Sequence, residues 1–311
     1  MENNNPKNIK IFLVCILIIF VLGVSTVVAN VTKSNLTGTP LTIINKEDPV
    51  EVKYCKEEAE LNLLAESFVI YNKSDDCIVY SKNEEEKRPV ASLQKLMTAI
   101  VADEIIRDGA PIQITYEDLA MPDDHGLVAG DLWKKEDLIS LLLVTSSNDI
   151  AHALRRTSEE YHLGEDESFV AIMNQRAAEI GMEHTVFFNE TGLDESSVFP
   201  GAYSTALDMV KLAKYSLIKI SDYIYKTSQP TISVGPIGKP NLVFKNTNYI
   251  TEKYPSLLFS KTGLTNLAGG NLIIAFETGP LEEYIAVILG STKEGRFIDS
   301  LDIINFLLYK V

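Results

Sequence analysis

Three short motifs, which follow one another along the chain with wide gaps, contain the residue types needed for acyl-transfer chemistry. Each motif is weak alone, because a second Ser-x-x-Lys occurs at 216–219 and a second Ser-x-Asn at 81–83, whereas Lys-Thr-Gly occurs once. Their order and spacing are much harder to obtain by chance, and they are typical of serine enzymes that form an acyl intermediate. The motifs are Ser92-Leu93-Gln94-Lys95, Ser146-Ser147-Asn148 and Lys261-Thr262-Gly263.

The first motif places a hydroxyl beside an amine. Ser92 and Lys95 are three residues apart in a helix predicted at 92–107, so their side chains project from the same face. Serine is a poor nucleophile until a base takes its proton. Lysine serves as that base only when burial or a nearby positive charge, such as that of Lys261, lowers its pKa. By itself, the motif would mean a helix-capping serine and a surface lysine.

The second motif lies in a polar break between two apolar helices predicted at 137–144 and 149–161. Here the hydroxyl of Ser146 could relay a proton to a leaving amine, while the amide of Asn148 could hold the substrate backbone and Lys95. The alternative is an ordinary cap serine and turn asparagine.

The third motif falls at the end of a short apolar strand predicted at 256–260. Lys261 and Thr262 would bind a substrate carboxylate through charge and a hydroxyl group. Gly263 would let a substrate backbone lie along the strand edge. The backbone N–H groups of Leu264 and Ser92 would stabilise an oxyanion. The alternative is a strand-end turn with an exposed lysine.

Predicted strands lie at both ends of the folded region, and helices lie between them. This order predicts a single α+β domain whose sheet is completed by distant segments. A long loop is predicted at 188–203. The strands are predicted at 67–71, 77–81, 256–260, 270–276 and 284–289, and the helices at 92–107, 137–144, 149–161, 167–180, 205–217 and 297–309.

The N-terminus carries an uncharged apolar stretch at 11–29, preceded by Lys7 and Lys10. As a helix it would span about 28 Å, close to the roughly 30 Å thickness of a hydrocarbon core. The lysines predict a cytoplasmic N-terminus and an external remainder. A cleaved signal sequence and a retained anchor both fit, and the length favours the anchor. The predicted organisation is signal or anchor at 1–29, stalk at 30–62 and catalytic domain at 63–311.

The composition limits the classes of molecule and metal that the protein is expected to bind. A net charge of −15 argues against nucleic acid, whose phosphates require basic patches. Cys15 lies in the apolar stretch, and Cys55 and Cys77 could form a disulfide or remain two free thiols. The four histidines are scattered and no zinc-binding spacing occurs, so no metal and no cofactor is expected.

The chain resembles the serine D-alanyl-D-alanine carboxypeptidases, the low-molecular-mass penicillin-binding proteins, over about residues 67–311. This resemblance implies an antiparallel sheet flanked by helices with an inserted helical subdomain, the β-lactamase and D,D-peptidase fold. The segments that carry it are 88–101 (RPVASLQKLMTAIV), 130–153, 173–193 (MNQRAAEIGMEHTVFFNETGL), 204–213 and 246–272, which includes KTGLTNLAG.

The resemblance also implies roles and a substrate. It implies an acyl-enzyme on Ser92, Lys95 as base and Ser146 in proton transfer, with Asn148, Lys261 and Thr262 binding substrate. The substrate would be the D-Ala-D-Ala end of a peptidoglycan stem peptide, and β-lactams would acylate the same serine. The protein would act outside the cytoplasm, anchored by its N-terminus or secreted.

The sequence departs from the family pattern at three positions. Val90 and Glu190 stand where proline is common, and Leu264 replaces a frequent aromatic residue or histidine. Many relatives carry a second β-domain and a C-terminal amphipathic anchor; neither is expected here, which favours the N-terminal anchor.

Two alternative functions remain open. A β-lactamase on the same fold would need a carboxylate that activates water, and Glu190 and Glu195 lie in the loop at 188–203. A penicillin-binding sensor would be acylated without turning over peptide.

Overall fold

The computed structural model describes residues 53–55, 61–122, 126–162 and 167–309. The predicted signal or anchor at 1–29 lies outside the described residues, as does most of the predicted stalk. Within the described part of the chain, no helix is long and apolar enough to cross a membrane.

The main sheet has five antiparallel strands in the order β10-β11-β12-β1-β2. Its two halves come from opposite ends of the folded region, as predicted. In chain order the strands are β1 (Ser67–Asn72), β2 (Cys77–Lys82), β3 (Arg88–Pro89), β4 (Pro111–Gln113), β5 (Leu132–Lys134), β6 (Val186–Phe187), β7 (Ala202–Ser204), β8 (Thr231–Val234), β9 (Leu242–Lys245), β10 (Leu257–Thr265), β11 (Gly269–Gly279) and β12 (Glu282–Ser291).

Most of the helical part is inserted between β2 and β10, which confirms the predicted α+β class. Local signals set the helix ends: Thr205 caps α5 by accepting a hydrogen bond from Asp208 N at 3.0 Å, and Gly181 follows α4 with a positive φ. The helices are α1 (Lys95–Ile105), α2 (Lys135–Thr145), α3 (Asn148–His162), α4 (Phe169–Glu179), α5 (Ala206–Lys219), α6 (Ser221–Ile224) and α7 (Gly295–Leu308).

Both faces of the main sheet are covered. Alternate residues of a strand point to opposite faces, so Val69 and Val287 pack into the core that contains α1, whereas Phe68 and Ile288 pack with α7. Because the central strands are buried on both sides, their sequences are continuous apolar runs. The sheet is therefore packed between two layers of apolar side chains.

A disulfide joins Cys55 to Cys77 at the start of β2. The backbone beside it is also paired, with Cys55 N donating to Ile78 O at 2.8 Å and Ile78 N donating to Lys53 O at 2.8 Å. The sequence allowed either a disulfide or two free thiols, and the structure shows the disulfide. It fixes residues 53–55, which fall in the predicted stalk, against β2.

Several strand features differ from the prediction, and the short strands β3 to β9 were not predicted. The strand predicted at 256–260 continues to Thr265, because Lys261 pairs with Ile273 and Gly263 with Asn271 on β11. Lys-Thr-Gly therefore lies inside a strand and not at its end; its polar residues and glycine had suggested a break. The hairpin of β8 and β9 was not predicted, since both strands are short.

Candidate active site

Ser92 sits in a tight turn just before α1, in a 3₁₀ segment at Ala91–Gln94. The preceding Ala91 has a φ of 49°, a region that costs a non-glycine residue on the order of 1–2 kcal/mol. The turn is wedged from two sides, because a side chain at Gly192 would collide with the carbonyl of Ala91 and one at Gly263 with the carbonyl of Val90. Surrounding packing thus holds the strained turn and fixes the direction of Ser92.

Lys95 is completely buried, and its amine contacts three oxygen atoms around the site. Its Nζ donates to Ser92 Oγ, to Asn148 Oδ1 and to the carbonyl oxygen of Thr191, each at 2.7 Å. An ammonium has three hydrogens, so these acceptors satisfy the protonated form. After loss of a proton, the same geometry directs the nitrogen lone pair towards the hydroxyl of Ser92.

Ser146 lies in the break between α2 and α3, as predicted, and Asn148 is the first residue of α3. Ser146 ends α2 in a left-handed conformation with a φ of 63°, and its Oγ accepts from Lys261 Nζ at 2.7 Å. The carboxamide of Asn148 is held at both ends, because Oδ1 accepts from Lys95 and Nδ2 donates to Pro122 O at 2.8 Å. The predicted contact between Asn148 and Lys95 is therefore present.

Lys261 is a second buried lysine near the first. Besides Ser146, its Nζ reaches the carbonyl of Thr262 at 2.9 Å. Burial, and then the charges of Lys95 and Arg296, hold the pKa of Lys261 well below its ordinary value. The positive charge of Lys95 therefore favours the neutral amine at Lys261.

The Lys-Thr-Gly strand β10 forms one edge of the sheet. Thr262 shares a hydrogen bond with the hydroxyl of Thr247 at 2.7 Å, and Leu264 is 42% exposed. The role of Gly263 in substrate access stays a prediction, and the glycine also contacts the Ser92 turn: a Cβ there would lie 2.8 Å from Val90 O. This glycine brings strand and nucleophile together.

Sequence reasoning missed Arg296, in the first turn of α7. Its Nη1 donates to Gly263 O at 2.6 Å, and burial lowers its pKa. A cation near a helix N-terminus interacts unfavourably with the helix dipole. This unfavourable position was the sequence feature that could have pointed to Arg296. Arg296 adds a third positive charge behind the Lys-Thr-Gly strand.

The carbonyl of Thr191 was also missed, because sequence does not show where a backbone oxygen points. Its loop is folded on the side chain of Asn189, whose Oδ1 accepts from Thr191 N at 3.1 Å and Gly192 N at 2.7 Å. The two loop glutamates already have partners: Glu190 faces Arg155, and Glu195 accepts from Asn189.

An antiparallel sheet flanked by helices, with a Ser–Lys pair beside a Lys-Thr-Gly edge strand, defines the β-lactamase and D,D-peptidase class of folds. Residues 54–293 match the model of peptidase family S11, described as D-alanyl-D-alanine carboxypeptidase. The chain belongs to this family, and the resemblance inferred from the sequence is confirmed.

Two curated relatives illustrate the range of similarity. A D-alanyl-D-alanine carboxypeptidase of Bacillus subtilis is 26% identical over 265 residues, which cover 81% of this chain and 64% of the relative. A D-alanyl-D-alanine endopeptidase of Haemophilus influenzae is 33% identical over 214 residues, covering 68% of this chain and 70% of the relative. The chain thus spans slightly less than two thirds of the Bacillus protein.

Solved structures show the same fold. The DD-transpeptidase of Streptomyces K15 superposes with a TM-score of 0.71 at 24% identity, covering 80% of this chain and 98% of that one. Penicillin-binding protein D2 of Listeria monocytogenes, in its ampicillin-bound form, gives a TM-score of 0.66 at 25% identity, with coverage of 80% and 98%.

Proposed function

We propose that the protein is a serine D,D-carboxypeptidase, which removes the terminal D-Ala from peptidoglycan stem peptides through an acyl-enzyme on Ser92. The observation that carries this proposal is the 2.7 Å contact between Ser92 Oγ and the buried Nζ of Lys95, with Lys261 and Ser146 joined beside it. Family membership, by itself, supports the class of reaction and substrate.

Acylation begins when Lys95, as the neutral amine, takes the proton of Ser92. Ser92 Oγ attacks the carbonyl carbon of the penultimate D-Ala, and backbone N–H groups of Ser92 and Leu264 stabilise the resulting oxyanion. The C–N bond then breaks. Ser146 gives a proton to the departing amine of the terminal D-Ala and is resupplied through the lysines, so the proton count balances.

Deacylation repeats these steps with water in place of the serine hydroxyl. Lys95 takes a proton from the water as its oxygen attacks the ester carbonyl, and Ser92 recovers a proton as the ester bond breaks. The products are the shortened peptide and free enzyme.

The positive charge of the site and the exposed edge of β10 together determine how the substrate would bind. The terminal carboxylate would meet Lys261 and the hydroxyl of Thr262, with Arg296 behind them adding positive potential. Asn148 would contact the substrate backbone. The peptide would run antiparallel to the outer edge of β10, past Leu264.

We further propose that β-lactams acylate Ser92, since a β-lactam also presents a carboxylate beside a reactive carbonyl. The protein would act outside the cytoplasm, held by its N-terminal segment or released by cleavage of that segment. The disulfide between Cys55 and Cys77 supports an oxidising compartment.

The test measures D-alanine release from a peptide ending in D-Ala-D-Ala, using the full chain in detergent and its Ser92→Ala variant. Release that disappears in the variant is the expected result. If the folded wild type releases no D-alanine, the proposal fails. Rapid hydrolysis of penicillin would then indicate a β-lactamase, and a stable penicillin adduct would indicate a sensor.

A further inference from the structure

The loop that supplies the Thr191 carbonyl is braced by an ion pair outside the reacting groups. Glu190, the residue before Thr191, places Oε1 3.2 Å from Nε of Arg155 on α3, an ion pair by distance and charge without a hydrogen bond at Nε; Glu190 is buried and Arg155 is partly buried. We infer that Arg155 and Glu190 are positioning residues, which act through the Thr191 carbonyl on Lys95. This inference rests on the proposed function.

Lys95 depends on two separate elements for its orientation. One acceptor, Asn148, begins α3, and another, the Thr191 carbonyl, belongs to the loop. Arg155 lies seven residues after Asn148 and therefore two turns along the same face of α3. The ion pair thus joins the same helix and the same loop that together hold Lys95.

Helix α1 forms the third side of this arrangement. Thr98, one turn after Lys95, donates through Oγ1 to the Glu190 carbonyl at 2.7 Å. Lys95 bonds to the Thr191 carbonyl at the same distance. The contacts therefore form two successive layers: Lys95, Asn148 and Thr191 in the first, and Thr98, Glu190 and Arg155 in the second.

Arg155 is itself held in place by its own helix. Its Nη1 binds Glu159 at 3.1 Å, and its Nη2 lies 3.0 Å from His152 Nε2. A guanidinium only donates, so His152 accepts at Nε2 and donates from Nδ1 to Asp118 at 2.9 Å. These contacts hold the guanidinium of Arg155 from the helix side, within ion-pair distance of Glu190.

The experiment compares Glu190→Gln and Arg155→Gln with a control, Glu160→Gln, which removes an exposed carboxylate partner of the neighbouring Arg156 on the same helix. The second-order rate of acylation by a fluorescent penicillin is measured against pH on the full chain. We expect each loop-contact variant to lose about tenfold in rate, since small displacements of a reacting group are costly. The control should stay within twofold of wild type.

The pH profile separates positioning from a simple field effect. A carbonyl acceptor stabilises the ammonium form of Lys95, so weakening that contact moves the acid limb of the profile to lower pH in both variants. A field acting through space would move the limbs in opposite directions, because one variant removes a negative charge and the other removes a positive charge.

A double variant, Arg155→Gln with Glu190→Gln, completes a double-mutant cycle, which measures whether the two residues act together. If the two residues act as one unit, the double variant should lose no more rate than either single variant. Unchanged acylation per folded molecule, even with a lower Tm, would overturn the inference, and so would additive losses or opposite limb shifts. A wild type that penicillin does not acylate would instead reject the proposed function.

Discussion

At the residue scale, the site is built around two buried lysines whose surroundings differ. Lys95 has three oxygen acceptors, whereas Lys261 has Ser146 Oγ and one carbonyl and faces two other cations. Burial of a cation is costly, and at Lys261 two neighbouring cations add to that cost. Such arrangements are concentrated where a protein needs an amine instead of an ammonium.

The role of Lys95 as base predicts the effect of Lys95→Arg. Arginine keeps the positive charge but does not give up its proton, so acylation by penicillin should fall by about 10²–10⁴-fold. In the wild type, the acylation rate should rise with pH as Lys95 loses its proton. A rate that is flat from neutral to alkaline pH, with chemistry rate-limiting, would contradict this role, as would an active Lys95→Arg variant.

The charge on Lys261 should depend on the substrate. Because its pKa is well below its ordinary value in the free site, arrival of a carboxylate should draw a proton onto the amine. Peptides with a free C-terminal carboxylate should therefore bind more weakly as pH rises, seen as an increase in KM. Lys261→Ala should raise KM for these peptides and remove its pH dependence. Equal losses for a C-terminally amidated peptide would reject carboxylate binding.

At the element scale, the close approach of β10 to the Ser92 turn requires a glycine. In Gly263→Ala, the new Cβ would meet the Val90 carbonyl 2.8 Å away, so the strand and the turn must separate. We expect acylation to fall by about 10²-fold. Gly279→Ala is the matched control on β11, where the nearest atom is 3.5 Å away on the flexible Glu282 side chain. Equal acylation rates in the two variants would contradict the proposed wedge.

The same elements show how far sequence reasoning reaches. Helices with a strong apolar pattern were predicted to within a few residues, because local spacing determines them; α1, for example, was predicted at 92–107 and spans Lys95–Ile105. The extent of β10 was underestimated, since its polar second half is held by pairing with β11, a tertiary interaction. Likewise, Thr191 and Arg296 join the site only through the fold, which brings distant segments together.

At the scale of the whole molecule, the buried lysines Lys261 and Lys135 have opposite effects on the stability of the fold. Burial alone lowers the pKa of Lys135, but the hydrogen bonds and charge interactions that its ammonium makes with the carboxylates of Asp103 and Asp108 outweigh burial and raise that pKa above its ordinary value. The pKa of Lys261 is lowered. Lys135 therefore stabilises the folded chain at neutral pH, whereas Lys261 destabilises it and is retained for its role in the site.

Thermal unfolding of Lys261→Met and Lys135→Met tests this contrast. Between the lowered pKa of Lys261 and the value in the unfolded chain, the unfolded state binds more protons, so this lysine costs most stability at low pH and least at high pH. Lys261→Met should therefore raise Tm by a few degrees, at about 2–4 °C per kcal/mol, and the gain should shrink as pH rises. Lys135→Met should lower Tm, with the loss fading as pH rises through the raised pKa of Lys135. A lower Tm for Lys261→Met at every pH would show that its contacts with Ser146 and Thr262 outweigh the cost of burying it.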